Sequence, residues 1–163
     1  MDAMDRPLEQ TKQMNIRPGG PADRDRLLDI WTRSVRATHH FLTEADIQAS
    51  LPIVQDVVLP NFEELWLICD NDDVAVGFMG LRGRTVDALL VDPSHFRIGA
   101  GRRLLEQARR LKGSMVVDVN EQNPQAVAFY AAVGFEVIGR SPEDDDGRPF
   151  PLLHMQDVSA SVA

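Results

Sequence analysis

With one cysteine in 163 residues, this chain can form no internal disulfide, so a hydrophobic core must hold it together. Cys69 lies in the apolar stretch Leu65–Cys69 and reads as a buried strand residue rather than a nucleophile, in keeping with a reducing, cytoplasmic setting. No apolar run approaches the roughly 18 residues needed to cross a bilayer, so no membrane partner is expected. Residues 1–13 have no apolar h-region; a disordered leader rather than a secretory signal is expected there, followed by one domain over 14–157 and a tail over 158–163. Basic residues are in deficit, 17 Lys and Arg against 25 Asp and Glu, for a formal net charge of −8. No Lys/Arg cluster is large enough for the basic face that nucleic acid demands, whereas an acidic surface favours a cationic partner such as an amine. Internal repeats and linker-like segments are also missing.

What remains is an alternation of short apolar runs and helical patterns. Asn15–Arg17 predicts a first strand, ended by Pro18-Gly19-Gly20, and Pro21 suits the first turn of a helix with Asp23 and Asp25 at its positive end. Leu27, Leu28, Trp31 and Val35 recur at helical spacing. Thr43 with Asp46 has the form of a capping box for a second helix, which Pro52 kinks or shortens. Strands are then predicted at Leu65–Cys69, Val74–Leu81 and Ala88–Val91, a helix at Ile98–Lys112 stopped by Gly113, and a strand at Met115–Val119. Asn123-Pro124 starts another helix, ended by Gly134 before a strand at Phe135–Gly139; Ser141–Gly147 is an acidic loop and Pro151–Met155 a last strand. The order predicts a single α/β domain with a mixed sheet.

Two segments carry chemistry. The first, Phe96-Arg-Ile-Gly-Ala-Gly-Arg-Arg, follows a strand and opens a helix. Gly99 and Gly101 allow backbone N–H groups to share one concavity at a positive helix end, which suits a pyrophosphate; a tight strand-to-helix turn explains the same glycines. A P-loop needs Lys-Ser/Thr where Arg102-Arg103 stand, and a dinucleotide fingerprint needs a small residue where Leu104 stands. The second segment is Val119–Phe135. Asn123 is placed as an N-cap, a role compatible with ligand contact. Phe129 and Tyr130 diverge by about 100° on a helix; Phe129 is expected in the core with Ala126 and Val133, and Tyr130 toward another surface with a usable hydroxyl.

Together, Gly-x-Gly and the later Asn-x-x-Ala-x-x-Phe-Tyr-x-x-x-Gly-Phe resemble motifs A and B of the GNAT superfamily of N-acetyltransferases, and the element order is similar over about Met14 to Asp157. Within it, Ile30–Leu42, Val119–Asn123 and Gly147–Met155 look like the bacterial YjaB-type acetyltransferases. The resemblance implies a mixed sheet flanked by helices and splayed between the fourth and fifth strands, with the pantetheine arm of acetyl-coenzyme A in the gap. It implies that Leu90 and Val91 pair with that arm, that the amides of Arg97, Ile98, Gly99, Ala100, Gly101 and Arg102 hold the pyrophosphate, and that Asn123 binds the arm. Tyr130 would sit by the thioester sulfur as general acid. The family's usual Gln or Arg three residues before the first glycine is replaced by Phe96, with Arg97 next to it as substitute. Asp87 is the expected base, with a solvent-facing strand-end acid as the alternative. Trp31, His39, His40 and Phe41 would shape the acceptor pocket, with His154 facing either acceptor or core. Adjacent histidines diverge on a helix and lack metal-ligand spacing, so no metal is expected. The implied activity is acetyl transfer from acetyl-coenzyme A to a primary amine, a protein lysine or N-terminus or a small molecule, by a monomer or homodimer. A non-catalytic coenzyme A sensor with this fold is the rival reading, and a nucleotide-binding module built on Gly99 and Gly101 a weaker third.

Overall fold

The computed structural model describes residues 14–159; the expected leader, 1–13, and the end of the expected tail, 160–163, lie outside the described residues. Among the described residues, seven strands form one sheet in the order β1-β2-β3-β4-β5-β7-β6. They are β1 Asn15–Pro18, β2 Glu64–Cys69, β3 Ala75–Arg82, β4 Thr85–Val91, β5 Val116–Asn120, β6 Phe135–Ser141 and β7 Leu152–Asp157. The helices are α1 Arg24–Thr38, α2 Glu44–Ile53, α3 Ala100–Lys112 and α4 Pro124–Ala132. Every pairing is antiparallel except β4 with β5, which α3 joins by a crossover. No helix among the described residues is long and apolar enough to cross a membrane.

Local chemistry sets the boundaries. Thr43 accepts from the Asp46 amide at 3.1 Å while Asp46 accepts from the Thr43 amide at 3.0 Å, a reciprocal cap that starts α2. Pro52 has no N–H to give to the preceding turn, and the chain widens just beyond it into a π-helical turn, Val54–Val58. The β2–β3 hairpin closes on Asp70, whose Oδ1 accepts from the amides of Asp72 and Val74.

The sheet is covered on both faces. On one, Leu104, Leu105 and Ala108 of α3 pack with Val76, Met79, Leu81, Val117, Val119 and Tyr130. On the other, Leu27 and Ile30 of α1 pack with Leu67, Phe78, Val54 and Leu59. Each large side chain so buried contributes about 1.5–3 kcal/mol relative to exposure. The central strand β3 is covered on both sides from Ala75 to Leu81, which is why its sequence is a continuous apolar run rather than an alternation.

Candidate active site

β4 and β5 pair only at Thr85–Val116 and Val86–Val117. Beyond that point the strands part, and Leu89, Leu90 and Val91 line a cavity of about 630 Å³. On its other edge β4 stays paired with β3 as far as Gly77–Val91, so the gap is a one-sided splay of an otherwise continuous sheet.

The far end of β4 is anchored by Asp92, which is fully buried. It accepts from Arg26 at 3.0 Å and Arg33 at 2.8 Å, both on α1, and from the Ser94 amide and hydroxyl. Burial pushes its carboxyl up, but the Ser94 donors and the two guanidinium groups outweigh that and hold it below the ordinary range. This ties the turn after β4 to α1. The sequence shows Asp92-Pro93 as a turn; that its carboxylate is a buried anchor depends on arginines about sixty residues away and carries no local signal.

After the turn, Arg97 (φ +66°) and Gly99 (φ +90°) both adopt the left-handed conformation. For Arg97 that conformation costs about 1–2 kcal/mol, the kind of strain that concentrates at functional sites. Their alternation delivers the chain into α3, whose first amides have no acceptor within the helix. Phe96, Arg97, Gly99, Ala100, Gly101 and Arg102 all line the cavity. A Cβ on Gly101 would lie 3.4 Å from Phe129 Cζ, so the backbone here is close to the opposite wall. The Ile98 side chain turns away from the cavity and packs against the α3 core cluster, so only its backbone belongs to this turn. At the place the family gives to Gln or Arg, Phe96 supplies an apolar wall.

Asn123 caps α4, its Oδ1 accepting from the Ala126 amide at 3.2 Å. The cap uses the oxygen and leaves the NH₂ end of a buried, cavity-lining side chain for another partner. One expectation is corrected on this helix. Tyr130, not Phe129, is the buried aromatic, 6% exposed and packed edge-on against Phe129 and Phe135. Phe129 is only partly buried and forms cavity wall. Tyr130 also lines the cavity, and burial pushes its phenol well above the ordinary tyrosine range, so it carries its proton at neutral pH.

The cavity also reaches the C-terminal end of α1, where Ser34, Thr38 and His39 form wall. α1 ends at Thr38, so His39 and His40 lie beyond the helix. Burial, aided by His40, lowers the His39 pKa below the usual imidazole value. Of the other expected acceptor residues, Trp31 packs against the α1 core cluster and His40 is exposed. Phe41 sits between His39 and Phe150, with ring centroids 5.3 and 5.5 Å away. His154 faces Asp118 and Ser141, with Nδ1 2.6 Å from Asp118 Oδ1 and Nε2 2.7 Å from Ser141 Oγ. Asp87 lies outside the cavity lining and pairs with Arg82 at 3.3 Å.

Comparison with known proteins agrees with this architecture. Residues 61–137 match the family described as Acetyltransferase (GNAT) domain. The chain is 44% identical over 142 residues to the peptidyl-lysine N-acetyltransferase YjaB of Salmonella typhimurium, covering 87% of this chain and 97% of that protein. The solution structure of apo-form YjaB from Escherichia coli superposes with a TM-score of 0.84 at 42% identity, over 90% of this chain and 99% of that one. The PaiA N-acetyltransferase of Thermoplasma acidophilum, solved in complex with coenzyme A, shares the fold at a TM-score of 0.70 and 18% identity, over 88% of this chain and 98% of that one. A splayed β4–β5 pair, a glycine turn opening α3 and relatives of this identity and coverage together place the chain in the GNAT superfamily of acetyl-coenzyme A-dependent N-acetyltransferases.

Proposed function

We propose that this enzyme transfers the acetyl group of acetyl-coenzyme A to a primary amine, foremost a lysine side chain of a protein, by direct attack within a ternary complex. The observation that carries the reading is the extent of the cavity. One continuous space joins the glycine turn, the β4–β5 gap, Tyr130 and the end of α1, so a donor held along the gap and an acceptor entering by α1 meet in it. The residues suit the donor. Backbone amides at the start of α3, with Arg97 and Arg102, would hold the pyrophosphate; β4 offers the edge that β5 has left, and Asn123 its NH₂. The donor supplies an activated acyl carbon. The chain supplies a phenol kept protonated by burial, Tyr130, to donate to the departing sulfur. Cys69, the only cysteine, is 1% exposed on β2 and outside the cavity lining, so no thiol is placed to form an acyl-enzyme. The lysine acceptor rests on the relatives named peptidyl-lysine N-acetyltransferase.

The test is initial-rate kinetics with acetyl-coenzyme A and a panel of lysine peptides, polyamines and aminoglycosides, read by thiol release and product mass. Intersecting double-reciprocal lines with a lysine peptide are expected. Parallel lines would refute direct transfer, and coenzyme A binding without acceptor-dependent thiol release would establish the sensor reading instead.

A further inference from the structure

The acceptor nitrogen must shed a proton before it can attack, and the end of α1 brings an imidazole, His39, to the cavity wall. The Thr38 hydroxyl lies 2.8 Å from the Ser34 carbonyl and 2.8 Å from His39 Nδ1. A hydroxyl has one proton, and a carbonyl oxygen can only accept, so Thr38 donates to Ser34. The second contact then runs the other way: His39 Nδ1–H donates to Thr38 Oγ1. This fixes the tautomer, leaving the lone pair on Nε2 of a ring that lines the same cavity as Tyr130.

We propose that His39 is the catalytic base of this enzyme, its Nε2 taking the proton from the acceptor amine, with Thr38 the positioning residue that fixes the tautomer. The proposal rests on the reaction proposed above. The protons balance as follows. The acceptor ammonium gives one proton to Nε2, making an imidazolium. Its nitrogen lone pair bonds to the acetyl carbon while the carbon–sulfur bond breaks, and the electron pair leaving on sulfur takes the phenolic proton of Tyr130. The nitrogen's surplus proton then replaces the one Tyr130 gave, and the imidazolium returns its own to solvent.

The charged and titratable neighbours are His40 beside it, His95, Arg97, Arg102 and Tyr130 around the cavity, and Asp46 with Arg148 near the Phe41–Phe150 contact. Burial favours the neutral ring, so the acid limb of the activity profile is expected at lower pH than an ordinary imidazole would give.

The experiment uses the full chain with two peptides, one bearing lysine and one bearing an aminooxy group whose nitrogen is already neutral at the assay pH. His39→Ala is expected to lower kcat on the lysine peptide by about a hundredfold or more, with acetyl-coenzyme A affinity unchanged. Added imidazole restores much of the rate, and the aminooxy peptide loses far less. Thr38→Val lowers kcat and moves the acid limb of the pH profile, and Thr38→Ser restores both. His39→Gln, which keeps much of the ring's bulk, guards against a folding artefact and should behave as His39→Ala. Wild-type rates in the His39 variants would overturn the assignment. An equal loss on both peptides without imidazole rescue would do so as well, as would the same acceptor-dependent loss appearing in Asp87→Asn or His154→Ala instead. A wild-type chain that binds acetyl-coenzyme A and acetylates neither peptide would overturn the function on which the proposal rests, and the proposal with it.

Discussion

Replacing Tyr130 by Phe separates the chemical role of this residue from its structural one. The ring packs edge-on against Phe129 at 5.1 Å and Phe135 at 5.2 Å between centroids, contacts that phenylalanine keeps. Only the hydroxyl is lost. That hydroxyl makes no hydrogen bond among the described residues, so the change in stability should be smaller than the roughly 0.5–1.5 kcal/mol a neutral hydrogen bond is worth. The rate should respond far more. Burial alone raises the phenol's pKa, so it stays protonated through neutral and mildly alkaline pH and can donate to a thiolate as it leaves. General acid catalysis of this kind contributes about 10²- to 10⁴-fold, or roughly 3–5 kcal/mol of barrier. Turnover of Tyr130→Phe is therefore expected to fall at least about tenfold even where product release limits the wild type, and further in single-turnover mixing of acetyl-coenzyme A with acceptor. Binding of acetyl-coenzyme A, measured by calorimetry, should be unchanged, the signature of an interaction made in the transition state. A single-turnover rate equal to wild type would refute the reasoning and leave Tyr130 as a wall residue.

Three further outcomes are expected. At Gly101 a Cβ meets Phe129 at an ordinary 3.4 Å, so Gly101→Ala should fold, whereas the branched side chain of Gly101→Val crowds that wall and the phosphate approach. Acetyl-coenzyme A at a hundred times its Kd should stabilise the wild type by about 2.7 kcal/mol in a thermal melt, and Gly101→Val should lose that gain while remaining folded; unchanged affinity would remove the cradle. Asp157, 1% exposed, accepts from Arg109 and Ser159. Burial pushes its pKa up, but these donors outweigh it and hold the carboxyl low, so its contribution is present above the unfolded value of about 3.9 and is lost as pH falls through the folded one. Asp157→Asn should cost about 3 kcal/mol in a urea titration near neutrality and flatten the decline below about pH 4; an unaltered acid slope would count against it. Thr43→Ala removes the hydroxyl half of the α2 cap and should lower stability by about 1 kcal/mol by the same titration, with no effect on acetyl-coenzyme A binding.

The elements were largely legible because their signals are local. Period-two and continuous apolar runs marked the strands, the Thr43–Asp46 pair marked the start of α2, and Asn123-Pro124 marked α4. The insertion of β7 between β5 and β6 was not, because strand order depends on which apolar faces meet across the sheet. The aromatic pair on α4 shows the same limit at finer scale. Ala126, Tyr130 and Val133 stand at spacings of four and three, and Ala126, Phe129 and Val133 at three and four, so the helical period alone fits both. Packing decided it: Phe135, just after the turn at Gly134, gives Tyr130 the buried neighbour.

The site was legible where backbone makes it and illegible where side chains act through one another. Glycines at 99 and 101 announce a turn into a helix from sequence alone. His39 in sequence is one of two adjacent histidines, and nothing there says which nitrogen holds the proton; the answer lies in a threonine hydroxyl committed to a carbonyl one turn back. Burial alone would let one cavity hold both a proton donor and a proton acceptor. Withdrawal from water favours the uncharged form of any group. For a phenol that form carries the proton, and for an imidazole it has given the proton up. Burial therefore drives Tyr130 upward and, aided by His40, His39 downward, as the proposed donor to sulfur and the proposed acceptor from the amine each require.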